Sequence, residues 1–281
     1  MGEYLRPSTV EEALHALNFR ALTIVAGGTD FYPARVGRPL NDDVLDISAI
    51  HGLRGIADNG DHWRIGACTT WTDVIRADLP PWFDGLKLAA REVGGVQIQN
   101  AGTVCGNLCN ASPAADGVPP LLSMGASVEL ASAEGSLLLP LEDFVLGNRE
   151  TACRADQMMT GIIVPKPTGE RSGGHFLKLG ARKYLVISIV MVGATLSADA
   201  SGRIESARVA VGACSAAARR LPALEAALVG RMLGDGLGDV AASAHLDPLS
   251  PIDDVRGSAD YRNDVALTLL QRTLNDLGAR L

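Results

Sequence analysis

The chain has 281 residues and a formal net charge of −7, because 25 lysines and arginines face 32 aspartates and glutamates. This length predicts two or more compact units, and a hydrophobic content of 47% excludes a disordered chain. The acidic balance and the absence of a basic cluster argue against a nucleic-acid partner.

The termini and the cysteines narrow the class of protein further. The first residues contain charged side chains and no apolar core of a secretory signal. The longest apolar tract, residues 186–196, is too short to cross a membrane. The five cysteines form no Cys-x-x-Cys pair and are most simply explained as buried, reduced thiols. These features predict a cytoplasmic protein without a membrane span.

The first fifty residues predict a small βαβ-like unit. A capping box at residues 8–11 starts a helix with apolar residues at helical spacing. A strand at residues 22–26 runs into a glycine turn, and a second strand follows at residues 43–48. The glycine turn therefore lies at the carboxyl end of a strand.

The following segment, up to about residue 167, predicts an α+β unit. A strand at residues 63–69 leads to a helix capped by Thr70, and an amphipathic helix follows at residues 81–94. A loop rich in glycine and asparagine occupies residues 100–116 and precedes another helix. Three predicted strands complete the unit at residues 127–133, 135–141 and 159–167.

The last part of the chain follows a linker marked by Pro165, Pro167 and Gly169. It predicts a strand at residues 174–182 and a hairpin over residues 187–213. A final helix is expected at residues 260–281. The glycines of residues 234–239 follow no strand, so they indicate a loop rather than a dinucleotide fingerprint.

Two glycine-containing loops carry the candidate chemistry, at residues 26–30 and 103–107. Glycine lets the backbone turn sharply and lets a bulky anion approach, and consecutive N–H groups in such a turn hold phosphate without lysine. A dinucleotide diphosphate would suit both loops. For either loop alone, an ordinary turn at the exit of a strand is an equally good interpretation.

The second loop has several polar groups around its glycine. Thr103 offers a hydroxyl, Gly106 a close backbone approach, and Asn107 and Asn110 offer amides. The Ser112–Pro113 pair predicts a helix start, which places Asp116 in the first helical turn. There Asp116 either accepts hydrogen bonds from sugar hydroxyls or complements the helix dipole, and spacing alone favours neither.

Other kinds of site find no support in the sequence. The histidines have no HxxxH or HExxH spacing, which argues against a protein-bound metal. Cys105 and Cys109 are too few for an iron–sulfur cluster, and Cys109 is expected to be a small packed residue. Neither a GxSxG elbow nor a phosphate-binding Walker sequence occurs.

The chain resembles, over nearly its whole length, the FAD-binding middle subunit of molybdenum hydroxylases of the xanthine dehydrogenase and carbon monoxide dehydrogenase types. The matching segments near the start are RPSTVEEAL, AGGTD and RIGACTTWTDV. The most specific one is QIQNAGTVCGNLCNASPAADGVPPLLSMGASVEL, and MTGIIVPKP and FLKLGARKYLVISIV follow at the expected distances.

This resemblance implies an α+β fold of three parts. A two-part FAD-binding unit of the vanillyl-alcohol-oxidase-like (PCMH) type would span residues 1–168, with subdomains of about 1–54 and 55–168. A C-terminal domain with a small antiparallel sheet and helices would span residues 169–281. FAD would lie between the first two parts, with its pyrophosphate on both glycine loops.

The resemblance also implies a set of cofactor-binding residues and no catalytic residue. The diphosphate and the adenosine half of FAD would contact Ala26, Gly27, Gly28, Thr29, Asp30, Thr103, Cys105, Gly106 and Asn107. The ribityl or ribose hydroxyls would meet Asn110 and Asp116, the flavin ring would lie near Met159 and Ile162, and Lys178 would reach the flavin from the next domain. From the pattern alone, Met159 and Ile162 are core residues and Lys178 is a snorkelling side chain.

Two positions depart from the pattern of the family. Cys105 stands where a glycine is more common, so either that position has no need of a positive φ or the loop is altered. Thr29 stands where some related flavoproteins carry histidine, so non-covalent FAD is expected.

The implied function is electron transfer within a hetero-oligomer. One partner subunit would carry molybdopterin and another [2Fe–2S] clusters, and electrons would reach FAD here and leave to NAD, a quinone, oxygen or another acceptor. A stand-alone FAD-dependent oxidase or dehydrogenase of the same fold is one alternative. A flavin-less accessory protein is the other.

Overall fold

In the computed structural model, which describes residues 2–281, the N-terminal part is built on a three-stranded parallel sheet. Strands β1 (Tyr4–Leu5), β2 (Thr23–Val25) and β3 (Val44–Asp46) lie in the order β1-β3-β2, with β3 parallel to both neighbours. Helix α1 (Val10–Phe19) connects β1 to β2. The two predicted strands are present as β2 and β3, with a 3₁₀ turn at Pro33–Arg35 between them, whereas β1 has no counterpart in the sequence-based prediction.

The capping box of α1 lies one residue later than the sequence pattern predicts. The Thr9 backbone is extended, with φ of −129°, and its side chain accepts a hydrogen bond from the Glu12 N–H. The Glu12 carboxylate in turn accepts from the N–H groups of Ser8 and Thr9. The helix therefore begins at Val10, with Thr9 rather than Ser8 as its N-cap.

The central part is a five-stranded antiparallel sheet in the order β4-β5-β10-β6-β7. The strands from this part of the chain are β4 (Ile56–Asp58), β5 (His62–Gly66), β6 (Ser127–Ser132), β7 (Gly135–Pro140), β8 (Val145–Gly147), β9 (Glu150–Thr151) and β10 (Met158–Pro165). The helices are α2 (Trp71–Arg76), α3 (Asp84–Glu92), α4 (Val96–Ala101), α5 (Val104–Asn110), α6 (Val118–Ser123) and α7 (Leu141–Phe144).

Thr70 caps α2 as predicted, whereas the helix expected at residues 81–94 is a 3₁₀ turn, Pro81–Phe83, followed by α3.

The segment predicted as a loop, residues 100–116, contains the end of α4 and the whole of α5. The predicted helix start at Ser112 is wrong, because residues 112–117 form turns and α6 begins at Val118. Ala111 adopts a left-handed conformation, with φ of 45°, and ends α5. Proline does occupy the start of a helix, but at positions 119 and 120, where the missing N–H costs nothing.

The C-terminal part is a four-stranded antiparallel sheet covered by helices. Its strands are β11 (Arg171–Leu179), β12 (Val190–Ala198), β13 (Ile204–Gly212) and β14 (Arg219–Arg220), in that order across the sheet. Its helices are α8 (Pro222–Leu228) and α9 (Ala259–Arg280), with 3₁₀ turns at Leu237–Val240 and Ser243–Leu246. The predicted hairpin, final helix and α+β fold class are confirmed, whereas the limits at residues 54 and 168 stay predictions.

The hydrophobic residues form two large cores that match this division. One core gathers α1, β3, β5, α5 and β10 around the fully buried rings of Trp71 and Phe83. The other packs α8 and α9 on β12 and β13. None of the helices within residues 2–281 combines the length and the apolar character needed to cross a membrane.

His175 joins the C-terminal sheet to the last helix. The Arg280 guanidinium donates to His175 Nδ1 at 2.7 Å, and His175 Nε2 donates to the Asp276 carboxylate at 3.0 Å. This pattern requires a neutral ring with its proton on Nε2. The pKa of His175 is lowered because the ring is buried and because Arg280 lies beside it, although Asp276 acts in the opposite direction.

We expect the chain to lose stability in mild acid because of this residue. The pKa of His175 is lower in the folded chain than in the unfolded one, so the unfolded state binds the proton more readily. The stabilisation of the folded chain by neutral His175 is complete above the ordinary histidine pKa of about 6.5. It is lost as the pH falls from that value towards the pKa of His175 in the folded state. Urea midpoints at about pH 7.5 and about pH 5.5, on either side of that value, measure the loss.

His175→Asn removes the titrating ring and should flatten this pH dependence. His15→Asn, which removes an exposed imidazole, is the matched control and should leave the dependence as it is. An unchanged slope in His175→Asn would contradict the assignment.

Candidate functional site

A cleft of about 810 Å³ opens between the turn that follows β2 and the connection from α4 to α5. This volume is in the range typical of small-molecule sites. Most of the predicted cofactor-binding residues line it together: Ala26, Gly27, Gly28, Thr29, Asp30, Thr103, Gly106, Asn107 and Asn110. The two glycine loops, far apart in sequence, therefore share one cavity.

The first loop needs its glycines for steric reasons. Gly28 has φ of +68°, and a side chain there would meet the Tyr32 ring at 2.6 Å. A β-carbon on Gly27 would lie 1.9 Å from the carbonyl oxygen of Ala101, at the end of α4. The contact between Gly27 and Ala101 thus brings the first loop directly against the start of the second.

The backbone amides of the first loop are free of protein partners. Within residues 2–281, the N–H groups of residues 27–31 have no protein acceptor, and these residues are half-buried or exposed, so their donors can be reached from the cleft. These residues all line the cleft. A run of amides without acceptors suits an anion such as a diphosphate.

The second loop is the start of helix α5. Thr103 is its N-cap, and the Thr103 hydroxyl accepts a hydrogen bond from the Gly106 N–H at 3.0 Å. A β-carbon on Gly106 would lie 2.7 Å from that hydroxyl oxygen, so glycine keeps room for the cap. Asn107 Oδ1 accepts from the Gly117 N–H at 3.2 Å and fixes the turn that follows α5.

Thr103→Val should destabilise the protein by about 1 kcal/mol, the usual cost of losing an N-cap hydroxyl. Valine keeps the shape of the side chain but cannot accept the hydrogen bond from Gly106. Chemical unfolding of the purified protein measures the change. Thr103→Ser keeps the hydroxyl and serves as the control; equal losses in both variants would show that the cap has no part in the effect.

Cys105 is a helical residue and not part of an open loop. Its φ is not positive, so the glycine more common at this position is not required by the backbone. The side chain is 2% exposed and packs into the N-terminal core. Burial raises the pKa of its thiol, and Cys105 is not among the residues that line the cleft.

Cys109 departs from the sequence-based expectation. It was expected to be packed, but it is exposed and lines the cleft. The prediction of five buried thiols is also wrong for Cys153, which is partly exposed. Cys105 lies in the first turn of α5 and is buried, whereas Cys109 lies at the end of the helix, next to its last residue, and is exposed.

The structure adds several residues to the cleft that the sequence did not indicate. Arg149 lies in the turn between β8 and β9 with φ of 62°, and its N–H donates to the Ala111 carbonyl at 2.8 Å. Its guanidinium also donates to the Asn110 side-chain carbonyl. Trp71, Phe31 and Arg35 line the cleft as well. No local pattern marks Arg149, since the fold brings it to Asn110 across 39 residues.

Asp116 and Lys178 lie outside the lining of the cleft and bind each other. Lys178 Nζ is 2.8 Å from Asp116 Oδ2, and Ser188 donates to Asp116 Oδ1 at 2.6 Å. The side chains of the lysine and the aspartate are only 5% and 9% exposed. Burial raises the pKa of Asp116, while Lys178 and Ser188 oppose the shift.

The Asp116–Lys178 pair joins the two parts of the molecule. Asp116 lies in the turn before α6, whereas Lys178 is near the end of β11 and Ser188 precedes β12. Met159 and Ile162 of β10 are buried in the N-terminal core, where Ile162 lies opposite Ile65 and Val128. The roles of these four predicted residues towards a cofactor stay predictions.

The geometry defines a class of protein. Free amides at a glycine turn, a capped helix start facing them and a long cleft suit a dinucleotide. Within residues 2–281, histidine, cysteine, aspartate and glutamate side chains form no grouping of three suited to a metal ion. The arrangement of these loops therefore suits a dinucleotide.

The sequence relatives identify the family. Residues 1–167 match the FAD binding domain in molybdopterin dehydrogenase, and residues 175–277 match the CO dehydrogenase flavoprotein C-terminal domain. The chain belongs to this family of FAD-binding medium subunits of molybdenum hydroxylases, which are oxidoreductases.

Individual relatives agree with this assignment. The chain is 29% identical over 281 residues to the nicotine 6-hydroxylase medium subunit of Paenarthrobacter nicotinovorans, covering 99% of this chain and 97% of that protein. It is 35% identical over 214 residues to the nicotinate dehydrogenase FAD-subunit of Eubacterium barkeri, covering 71% and 70%. The solved structure of reconstituted CO dehydrogenase from Oligotropha carboxidovorans matches with a TM-score of 0.90 at 27% identity, over 100% of this chain and 99% of that one.

Proposed function

We propose that the protein holds FAD non-covalently in the cleft and serves as the electron-transferring subunit of a hetero-oligomeric molybdenum hydroxylase. The observation that carries this proposal is the row of amides at residues 27–31 that lack protein acceptors. Bound diphosphate oxygens would accept from these donors. The family match over both parts of the chain supports the same assignment.

The residues present fit this cofactor well. Residues 26–30 and Thr103–Gly106 would enclose the diphosphate from two sides, with no lysine required. Arg149 adds a positive charge at Asn110, and Asn107 and Asn110 provide amides for sugar hydroxyls. Because Thr29 has no nucleophilic nitrogen, this position offers no covalent link to the flavin.

FAD, when bound, supplies the redox chemistry, accepting electrons from one partner and delivering them to NAD or another acceptor. The work of this chain is to bind the cofactor, orient it and exclude water from it. We further propose that one partner subunit carries [2Fe–2S] clusters and another carries molybdopterin. A solved structural relative, the carbon monoxide dehydrogenase of Hydrogenophaga pseudoflava, is described as lacking the Mo-pyranopterin moiety of its molybdenum cofactor, which supports the second assignment.

We place this complex in the cytoplasm, a reducing compartment. The support is that all five cysteines are free thiols in the fold, and three of them are buried.

The decisive experiment is expression of the chain with its neighbouring reading frames, followed by purification through a tag on this chain. We expect FAD in a ratio of about one per chain, released intact by heat, as for a non-covalent flavin. Iron and molybdenum should co-purify with the complex. Absence of flavin from the purified chain, with no uptake on incubation with FAD, would overturn the proposal in favour of an accessory protein.

Cys109 lines the cleft and offers an independent readout, although burial of its sulfur raises the pKa of the thiol to about 12 and so slows its labelling. FAD in the cleft should protect Cys109 from maleimide, because Cys109 lines the same cavity as the amides. Peptide mapping separates Cys109 from the partly exposed Cys153, which lies outside the cleft lining and should react equally with and without FAD. Equal labelling of Cys109 in both states would contradict the assigned binding site. Turnover of a substrate by the isolated chain would instead favour a stand-alone oxidase or dehydrogenase.

A further inference from the structure

Phe31 and Arg35 form a stacked pair in the lining of the cleft. The central carbon of the Arg35 guanidinium lies over the Phe31 ring, 3.8 Å from the ring centroid. Both residues border the same cavity as the glycine loop that precedes them. The pair therefore stands directly beyond the amides to which the diphosphate is assigned.

The guanidinium is held rigidly in this position. Arg35 Nε and Nη2 each donate to the Asp42 carboxylate at 2.8 Å, and Nη1 donates to the Phe31 carbonyl at 3.0 Å. The side chain is partly exposed, at 28%. Its charge is thus neutralised by Asp42, so what the pair offers a ligand is a fixed flat surface rather than an unpaired positive charge.

A guanidinium plane fixed in this way is a stacking surface for a flat ring. Arginine stacks on aromatic groups as well as pairing with anions, and proteins hold nucleobases on arginine planes and aromatic rings. The Arg35 guanidinium lies over the face of the Phe31 ring. A purine on the pair would extend this stack.

The position of the pair favours the adenine ring over the flavin ring. All the partners of Arg35 come from the N-terminal part, namely Phe31 and Asp42. The C-terminal part approaches the cleft elsewhere, where Leu185 would contact a β-carbon on Gly95 at 3.2 Å, next to the lining residues Val93 and Ile98. Adenine is joined to the diphosphate through a single ribose, whereas the flavin ring lies beyond the longer ribityl chain, so a stacking surface next to the amides of residues 27–31 suits adenine better.

We propose that the Phe31–Arg35 pair is the adenine-binding surface of the cleft and makes this protein selective for FAD over FMN. The inference rests on the proposed function, since it assumes that the cleft binds FAD. It assigns a recognition role to two side chains that phosphate binding does not need. It also predicts that ADP, which shares the adenosine diphosphate half of FAD, binds on its own.

The test compares three probes, FAD, FMN and ADP, on the full chain stripped of flavin. Arg35→Leu should raise the dissociation constants of FAD and ADP about 10-fold, the usual scale of one stacked base, and leave that of FMN unchanged. Arg35→Lys should bind FAD and ADP as weakly as Arg35→Leu does, because lysine keeps the positive charge but lacks the flat guanidinium group. Arg38→Leu, an exposed arginine outside the cleft lining with the same change of charge, should match the wild type.

The outcomes separate this inference from the proposed function. If the wild type binds FAD but Arg35→Lys retains full affinity, the pair acts by charge and the stacking inference is overturned. If Arg35→Leu weakens FMN and not ADP, the pair holds the flavin ring instead, which also overturns it. If the wild type binds neither FAD nor FMN, it is the proposed function that fails. Thermal melting of each variant checks that the fold is retained.

Discussion

Gly27→Ala should strip FAD from the purified protein. The new β-carbon would lie 1.9 Å from the Ala101 carbonyl oxygen and 2.7 Å from its carbon, and both atoms are backbone. Neither can rotate away, so the first loop must move from the end of α4 and the cleft must change shape. Overpacking of this kind costs about 1–3 kcal/mol, which corresponds to roughly a 5- to 150-fold loss of affinity if it falls on the binding site.

The flavin content after gel filtration and the dissociation constant for added FAD measure the effect. Gly52→Ala is the matched control, because a β-carbon there meets no heavy atom within 4 Å and the residue has no positive φ. Gly52→Ala should retain FAD like the wild type. Normal FAD binding by Gly27→Ala would show that the close contact between the two glycine loops is not needed for FAD binding in the cleft.

Lys178→Met should be the most destabilising single substitution considered for this protein. It leaves the Asp116 carboxylate buried with Ser188 as its remaining side-chain donor. Removing one partner of a buried ion pair typically costs about 3–5 kcal/mol, because the other charge is left uncompensated. Urea unfolding of the purified chain measures the loss.

Two further variants test the cause. Lys166→Met is the matched control, since Lys166 pairs with Asp58 at the surface, where both side chains are more than a third exposed and the pair contributes about 0–1 kcal/mol. The double variant Lys178→Met with Asp116→Leu removes both charges and should recover much of the lost stability. A double variant as unstable as the sum of its single variants would argue against a direct pair.

Local chemistry made a large part of the fold and the first half of the site predictable. The glycine turn after β2 was recognisable because it follows an apolar run and contains two adjacent glycines. The β12–β13 hairpin was equally clear, with two apolar runs around a polar turn. Such features depend on residues close together in sequence, which a pattern can capture.

Helix α5 shows where local patterns mislead. Its sequence, VCGNLCN, holds a glycine and two asparagines, which are poor helix formers. The helix forms because Val104, Cys105 and Leu108 are buried on one side and Thr103 caps the start. Tertiary packing therefore overrides propensity, and the predicted helix start at Ser112 fails because α5 ends just before it.

The remaining site residues depend on contacts between distant segments. Arg149 reaches Asn110 across 39 residues, and Lys178 reaches Asp116 across 62. A single sequence carries no local signal for either contact. Family resemblance pointed to Lys178 and Asp116 as cofactor residues, but their direct pairing became visible only in the fold.

The order of strands in the central sheet sets the time at which the cleft can form. Strand β10 lies between β5 and β6, which do not pair with each other, so the sheet consists of two separate hairpin-like halves until β10 is made. Residue Ile162 pairs with Ile65 across nearly a hundred positions, and contacts this distant in sequence are slow to form. On the ribosome, both glycine loops emerge well before the strand that completes the sheet beneath them. We therefore expect flavin loading to be a late event, after residue 165 has been synthesised and the two halves of the sheet have closed.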